Sequence, residues 1–84
     1  LYRFLVARPQ QRIRIVGHTD NIGSDRSNQI LSEGRCLEVK QAMLMRGIQA
    51  DRIDVEGRGE QDPIVPNDTD DHRQMNRRVE IVLL

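Results

Sequence analysis

Apolar and polar residues alternate with a period of two in three stretches of the chain and recur with helical spacing in two others. Gln11-Arg12-Ile13-Arg14-Ile15-Val16 places Ile13 and Ile15 on one side and Arg12 and Arg14 on the other, which predicts a half-buried strand. Ile53-Asp54-Val55-Glu56 repeats the pattern and is ended by Gly57 and Gly59. Arg78 to Leu83 alternates a third time, with Val79, Ile81 and Leu83 as the expected inner face. Between the first two strands, from about Asn28 to Arg46, Leu31, Val39 and Met43 fall one or two helical turns apart, with Cys36 and Leu37 beside them. Ser24 or Asp25 suits its N-cap, and Gly47 after Arg46 suits the position just past its end. Leu1, Phe4 and Leu5, with Arg3 and Arg8, predict the closing turns of an amphipathic helix stopped at Pro9. Gly17 to Ser27 reads as a polar loop in which Gly17, Asn21 and Gly23 tolerate the positive φ of tight turns. Glu60 to Asp71 carries five acids, no base and two prolines, so a solvated loop is expected there, with a short helical turn from Asp70 to Met75.

This order predicts an α/β (α+β) sandwich, a small mixed sheet with helices packed on one face. Eighty-four residues suit a single domain spanning 1–84. The two aromatics, Tyr2 and Phe4, lie within the first four positions, so the rest of the core is aliphatic. A chain that opens inside a core-facing turn leads us to expect further residues upstream. Thirteen Lys+Arg balance thirteen Asp+Glu, which removes the overall pull towards nucleic acid or an anionic membrane. A single cysteine, Cys36, allows no intrachain disulfide and no multi-cysteine zinc site. No apolar run approaches the ~20 residues of a membrane-crossing helix, so no direct membrane insertion by this segment is expected.

Several motifs stand in order along the chain. They are Gly17-His18-Thr19-Asp20-Asn21-Ile22-Gly23-Ser24, Asn28-Gln29-Ile30-Leu31-Ser32-Glu33-Gly34-Arg35, Gly47-Ile48, Gly57-Arg58-Gly59-Glu60 and Asn76-Arg77-Arg78-Val79-Glu80-Ile81. Together they resemble the OmpA-like peptidoglycan-binding domain, the C-terminal module also found in peptidoglycan-associated lipoproteins and in flagellar stator proteins of the MotB type. The resemblance runs from about Pro9 to Ile81. It implies a periplasmic α/β sandwich, in the envelope of a Gram-negative-type bacterium, that grips the diaminopimelate of the peptidoglycan stem peptide without covalent chemistry. The family's ligand aspartate and arginine correspond to Asp20 and Arg35. Against that pattern the family's first strand lies before Leu1, Gly34 stands where a larger polar residue is usual, and Cys36 replaces an alanine. A sheet without that strand has an open edge able to pair with another chain, including a second copy.

The residues support the same chemistry independently. Diaminopimelate ends in an ammonium beside a carboxylate; Asp20 can accept from the first and Arg35 can offer a two-pronged donor to the second. On a helix starting near Asn28, Leu31 and Arg35 lie one turn apart on the face that meets the loop. Thr19 and Asn28 then shape the rim, as loop-forming and capping residues that also supply hydrogen bonds. The plainer alternatives are an Asx turn at Asp20 and an Arg35 that is solvated or paired with Glu38. Asn76, Arg77 and Arg78 are expected chiefly to fix the loop before the last strand.

Other constellations are weaker. His18, Asp20 and Ser24 have the residue types of a nucleophilic triad but crowd one short loop. Asp68, Asp70 and His72 alternate like metal ligands without the glycine and closing glutamate of a calcium loop. Gly57-Arg58-Gly59 lacks the third glycine of a nucleotide fingerprint. The sequence therefore predicts a peptidoglycan-binding module with no catalytic residues, metal or cofactor. The alternative is an assembly domain of the same fold that docks a partner protein.

Overall fold

The computed structural model describes all 84 residues. Helix α1 (Tyr2–Ala7) is followed by β1 (Ile13–His18), α2 (Asp25–Met45), a single 3-10 turn (Ala50–Arg52), β2 (Ile53–Gly57), α3 (Asp70–Asn76) and β3 (Arg78–Leu83). The strands form one sheet in the order β2-β1-β3. β1 pairs in parallel with β2, Ile13 opposite Ile53 and Gly17 opposite Gly57, and antiparallel with β3, Ile13 opposite Leu83 and His18 opposite Arg78. The sheet is mixed, as expected.

Leu5 of α1, Ile13 and Ile15 of β1, Cys36 of α2, Ile48 and Ile53 make the buried core, with Tyr2, Phe4, Val39, Met43 and Val55 packed around it. The two helices share one face of the sheet. Arg52 ties α1 to that core: its guanidinium donates to the carbonyls of Leu5 and Arg8 at 2.8 and 2.7 Å and to Gln11 at 3.1 Å. Ser24 is the N-cap of α2, its hydroxyl accepting the Ser27 N–H at 3.1 Å, and the helix starts at Asp25 rather than near Asn28. Gly47 follows the helix with φ of 95°, as its place past the C-terminus requires. Cys36 is fully buried, and burial pushes its thiol up.

Two sequence expectations are corrected. The first strand runs to His18 instead of ending at Val16, so Gly17 is a strand residue with no positive φ. It is glycine because α2 sits on it: a Cβ there would lie 2.5 Å from the Ser32 carbonyl oxygen and 2.7 Å from Cys36 Sγ. Gly57, directly opposite, is as crowded, with Glu33 Cγ at 2.4 Å and Ser32 Oγ at 2.7 Å from its virtual Cβ. The pair forms a flat floor under the helix. Secondly, Val79, Ile81 and Leu83 do share the helix-facing side with Ile13 and Ile15, yet they are 38%, 41% and 57% exposed. α2 lies over β1 and β2 and leaves β3 uncovered.

Candidate functional site

The turn after β1 carries Thr19 and Asp20, both almost fully buried. Thr19 N–H donates to the Gly59 carbonyl at 2.9 Å, and its hydroxyl donates to the Asp20 carbonyl at 2.9 Å. Asn28, on the first turn of α2, donates from Nδ2 to the same Asp20 carbonyl at 3.3 Å. Thr19 and Asn28 thus act through the backbone of Asp20, and it is the aspartate carboxylate that they position. One carboxylate oxygen accepts the Ile22 N–H at 2.9 Å, closing an Asx turn, and the other accepts from Arg77 at 2.5 Å. Burial pushes this carboxyl up. The Ile22 N–H, the Arg77 hydrogen bond and the charges of Arg77 and Arg73 together outweigh it and hold Asp20 below its ordinary value of 3.8.

Arg35 stands on α2 and is half-buried. It has no ion pair, with Glu38 or any other residue, and donates no hydrogen bond within the chain. It lines an open hollow of about 300 Å³ together with Gln74, Arg77, Arg78 and Val79. Arg77 joins the two halves of the site, facing this hollow while bound to Asp20. Leu31, one turn before Arg35, is 46% exposed and stands outside the lining of the hollow. Asp25 and Glu60 stand beside each other at a neighbouring hollow, and the Asp25 carboxyl first, then partial loss of solvent and the charge of Asp20, push Glu60 up. Carboxylates therefore crowd one flank of the site and guanidiniums the other.

Asn76 and Arg78 do fix the preceding loop. Asn76 is fully buried; its Oδ1 accepts from the N–H groups of Ile64 and Val65, and its Nδ2 donates to the Val65 carbonyl and to Asn67. Arg78 donates to Glu80, to the Asn76 carbonyl and to the Asp62 carbonyl. The residue that sequence reasoning placed among these and that works elsewhere is Arg77. Its partner Asp20 lies 57 positions away, and only the motif Asn76-Arg77-Arg78 hinted at it.

The weaker constellations dissolve in the fold. His18 points to the opposite face of the sheet, buried, with Nε2 3.5 Å from Glu80 and neither ring nitrogen hydrogen-bonded. Ser24 is occupied in capping α2, so no triad forms with Asp20. Asp68 pairs with His72 at 2.5 Å, while Asp70 turns to Arg73. A larger hollow, about 430 Å³, lies at the other end of the sheet between Pro9, Gln10, Arg12, Gln49, Asp51 and Arg52. Its Arg52 is bound to three carbonyls and its Arg12 to the Asp51 carbonyl and to Asp54, which leaves no free cation there.

A sequence profile of the OmpA family matches residues 1–77. The chain belongs to the OmpA family. Among relatives, it is 42% identical over 77 residues to outer membrane porin F of Pseudomonas fluorescens, covering 92% of this chain and 24% of the porin. It is 43% identical over 79 residues to the peptidoglycan-binding protein ArfA of Mycobacterium tuberculosis, covering 94% of this chain and 24% of ArfA. The crystal structure of the peptidoglycan-associated lipoprotein from Burkholderia pseudomallei superimposes with a TM-score of 0.93 at 25% identity, over 99% of this chain and 70% of that one. The fold is thus that of the OmpA-family domain. The chain spans between 9% and 38% of the length of curated relatives it matches.

Proposed function

We propose that this OmpA-family domain binds cell-wall peptidoglycan non-covalently, gripping the diaminopimelate of the stem peptide and anchoring an envelope protein to the wall from the periplasm. The observation that carries this reading is Arg35, a guanidinium without a counter-charge, facing a hollow whose other wall leads through Arg77 to the buried carboxylate of Asp20. An ammonium and a carboxylate on one carbon match that arrangement, Asp20 taking the first and Arg35 the second. The family and the peptidoglycan binding named for its relative ArfA support the wall as the partner. The domain does no chemistry in this reading, since binding alone holds the wall, and many weak sites facing one polymer give firm attachment.

Calorimetric titration with a diaminopimelate-containing stem peptide and with a lysine-containing one, which lacks the second carboxylate, tests the reading. The first is expected to bind more tightly, and Arg35→Ala to weaken it by about 1.5–3 kcal/mol, the worth of a charge-assisted hydrogen bond. Equal affinity for both peptides would falsify the clamp.

A second reading rests on β3. Within residues 1–84 its outer edge is unpaired and its helix-facing side chains are uncovered, and in this reading a strand from a partner protein or a second copy occupies that surface. Sedimentation separates the two, because this reading expects association that rises with concentration in the absence of ligand.

A further inference from the structure

Asp20, taken above as the ligand's ammonium acceptor, is already occupied. Its two carboxylate oxygens hold the Ile22 N–H and Arg77, while 38% of the Arg77 side chain remains exposed on the hollow it shares with Arg35. We infer that Arg77 is a specificity-determining residue that exchanges partners, leaving Asp20 for the ligand's carboxylate when the ligand's ammonium takes its place. The inference rests on the function proposed above and adds a residue and a selection rule to it.

The charges of the site decide which ligand heads can enter. Before binding, Asp20 and Arg77 neutralise each other and Arg35 stands alone. A head bearing both charges lets one internal pair become two pairs with the ligand, Asp20 with the ammonium and Arg77 with the carboxylate, and Arg35 adds a second donor fork to that carboxylate. No charge is left without a partner. A plain amine, such as a lysine side chain, can reach Asp20 only by stripping Arg77 of its counter-ion at a carboxylate that is itself only 10% exposed, which is costly. A plain carboxylate meets Arg35 alone, because Arg77 stays on Asp20. Arg78, the third guanidinium of the hollow, is held by Glu80 and two carbonyls and takes no part in the exchange.

The experiment measures the affinity ratio between the diaminopimelate peptide and the lysine peptide, in the unaltered domain, in Arg77→Gln and in Arg77→Lys. Exchange predicts that Arg77→Gln lowers the ratio by about tenfold or more, the loss of one charge-assisted bond to one ligand and of a competitor to the other. Arg77→Lys, which keeps the charge without the fork, restores part of the ratio. An unchanged ratio in Arg77→Gln, with Arg35→Ala still losing affinity, overturns the exchange and leaves the proposed function standing. No binding by the unaltered domain overturns both. If the variants do not fold, nuclear magnetic resonance of the unaltered domain decides: the contact between the Arg77 guanidinium and Asp20 is expected to vanish on saturation with the diaminopimelate peptide, and its persistence overturns the exchange.

Discussion

β2 and β3 flank the same strand, and each presents alternating apolar side chains to the same face of the sheet, but β2 is much the better covered. Ile53 on β2 is 1% exposed, whereas Ile81 on β3 is 41% exposed, although Ile81 pairs directly with fully buried Ile15. The difference comes from where α2 can lie. Gly17 and Gly57 are opposite one another and lack a Cβ, so the helix settles there at backbone distance and covers β1 and β2. Within these 84 residues no helix lies over β3. A period-two pattern thus reports which way a side chain points and says nothing about what covers it.

The largest effect that separates the two flanks is expected from isoleucine truncation. Ile15→Ala and Ile53→Ala remove fully buried side chains and should cost about 2–5 kcal/mol each. Ile81→Ala, with the same chemistry on the same face, should cost less than about 1.5 kcal/mol because its side chain is half in water. Urea midpoints at constant slope measure all three; a cost for Ile81→Ala equal to that of Ile15→Ala would mean that β3 is covered in solution.

A smaller contrast lies between glycines. Gly17→Ala forces a methyl into the Ser32 carbonyl, and an overpacking cost of about 1–3 kcal/mol is expected. Gly34→Ala, mid-helix with nothing within 4 Å of its virtual Cβ, should stabilise by about 0.5–1 kcal/mol. Thermal midpoints moving in opposite directions would support the helix seat, and a neutral Gly17→Ala would remove its basis.

The smallest effect concerns pH. The folded Asp20 carboxyl lies below its ordinary 3.8, so its stabilisation is present above that value and is lost as pH falls through the folded one. Asp20→Asn should therefore be less stable than the unaltered domain at neutral pH, with the gap closing in acid. A gap that stays constant between pH 7 and pH 2 would show that the Arg77 contact contributes nothing to the folded state.

Much of this architecture was legible in the sequence. Strand β3, the 60–71 loop, the α3 turn and the cap at Gly47 were all visible in local pattern. The end of β1 was not, because Gly17-His18 looks like the start of a polar loop unless one knows that a helix packs on the glycine. Asp20 and Arg35 came forward as a proposed site only through the family's motifs; their spacing alone favoured an Asx turn and a solvated helix arginine, and the Asx turn is indeed there. Arg77 was hidden for a physical reason. Its role depends on β3 lying antiparallel to β1, which brings the residue before β3 to the turn after β1, and no local periodicity carries that information. Arg52, whose three carbonyl partners lie in α1 and the segment that follows it, was invisible on the same ground.

The most direct test of the site is to map it. Nuclear magnetic resonance titration of the isotope-labelled domain with diaminopimelate should shift the resonances of Thr19, Asp20 and Ile22, of Asn28 to Arg35, and of Gln74 to Val79, and leave those of Arg12, Gln49 and Arg52 in place. Shifts gathered at the Arg12 and Arg52 hollow, or along β3 alone, would contradict a ligand site built on Asp20 and Arg35.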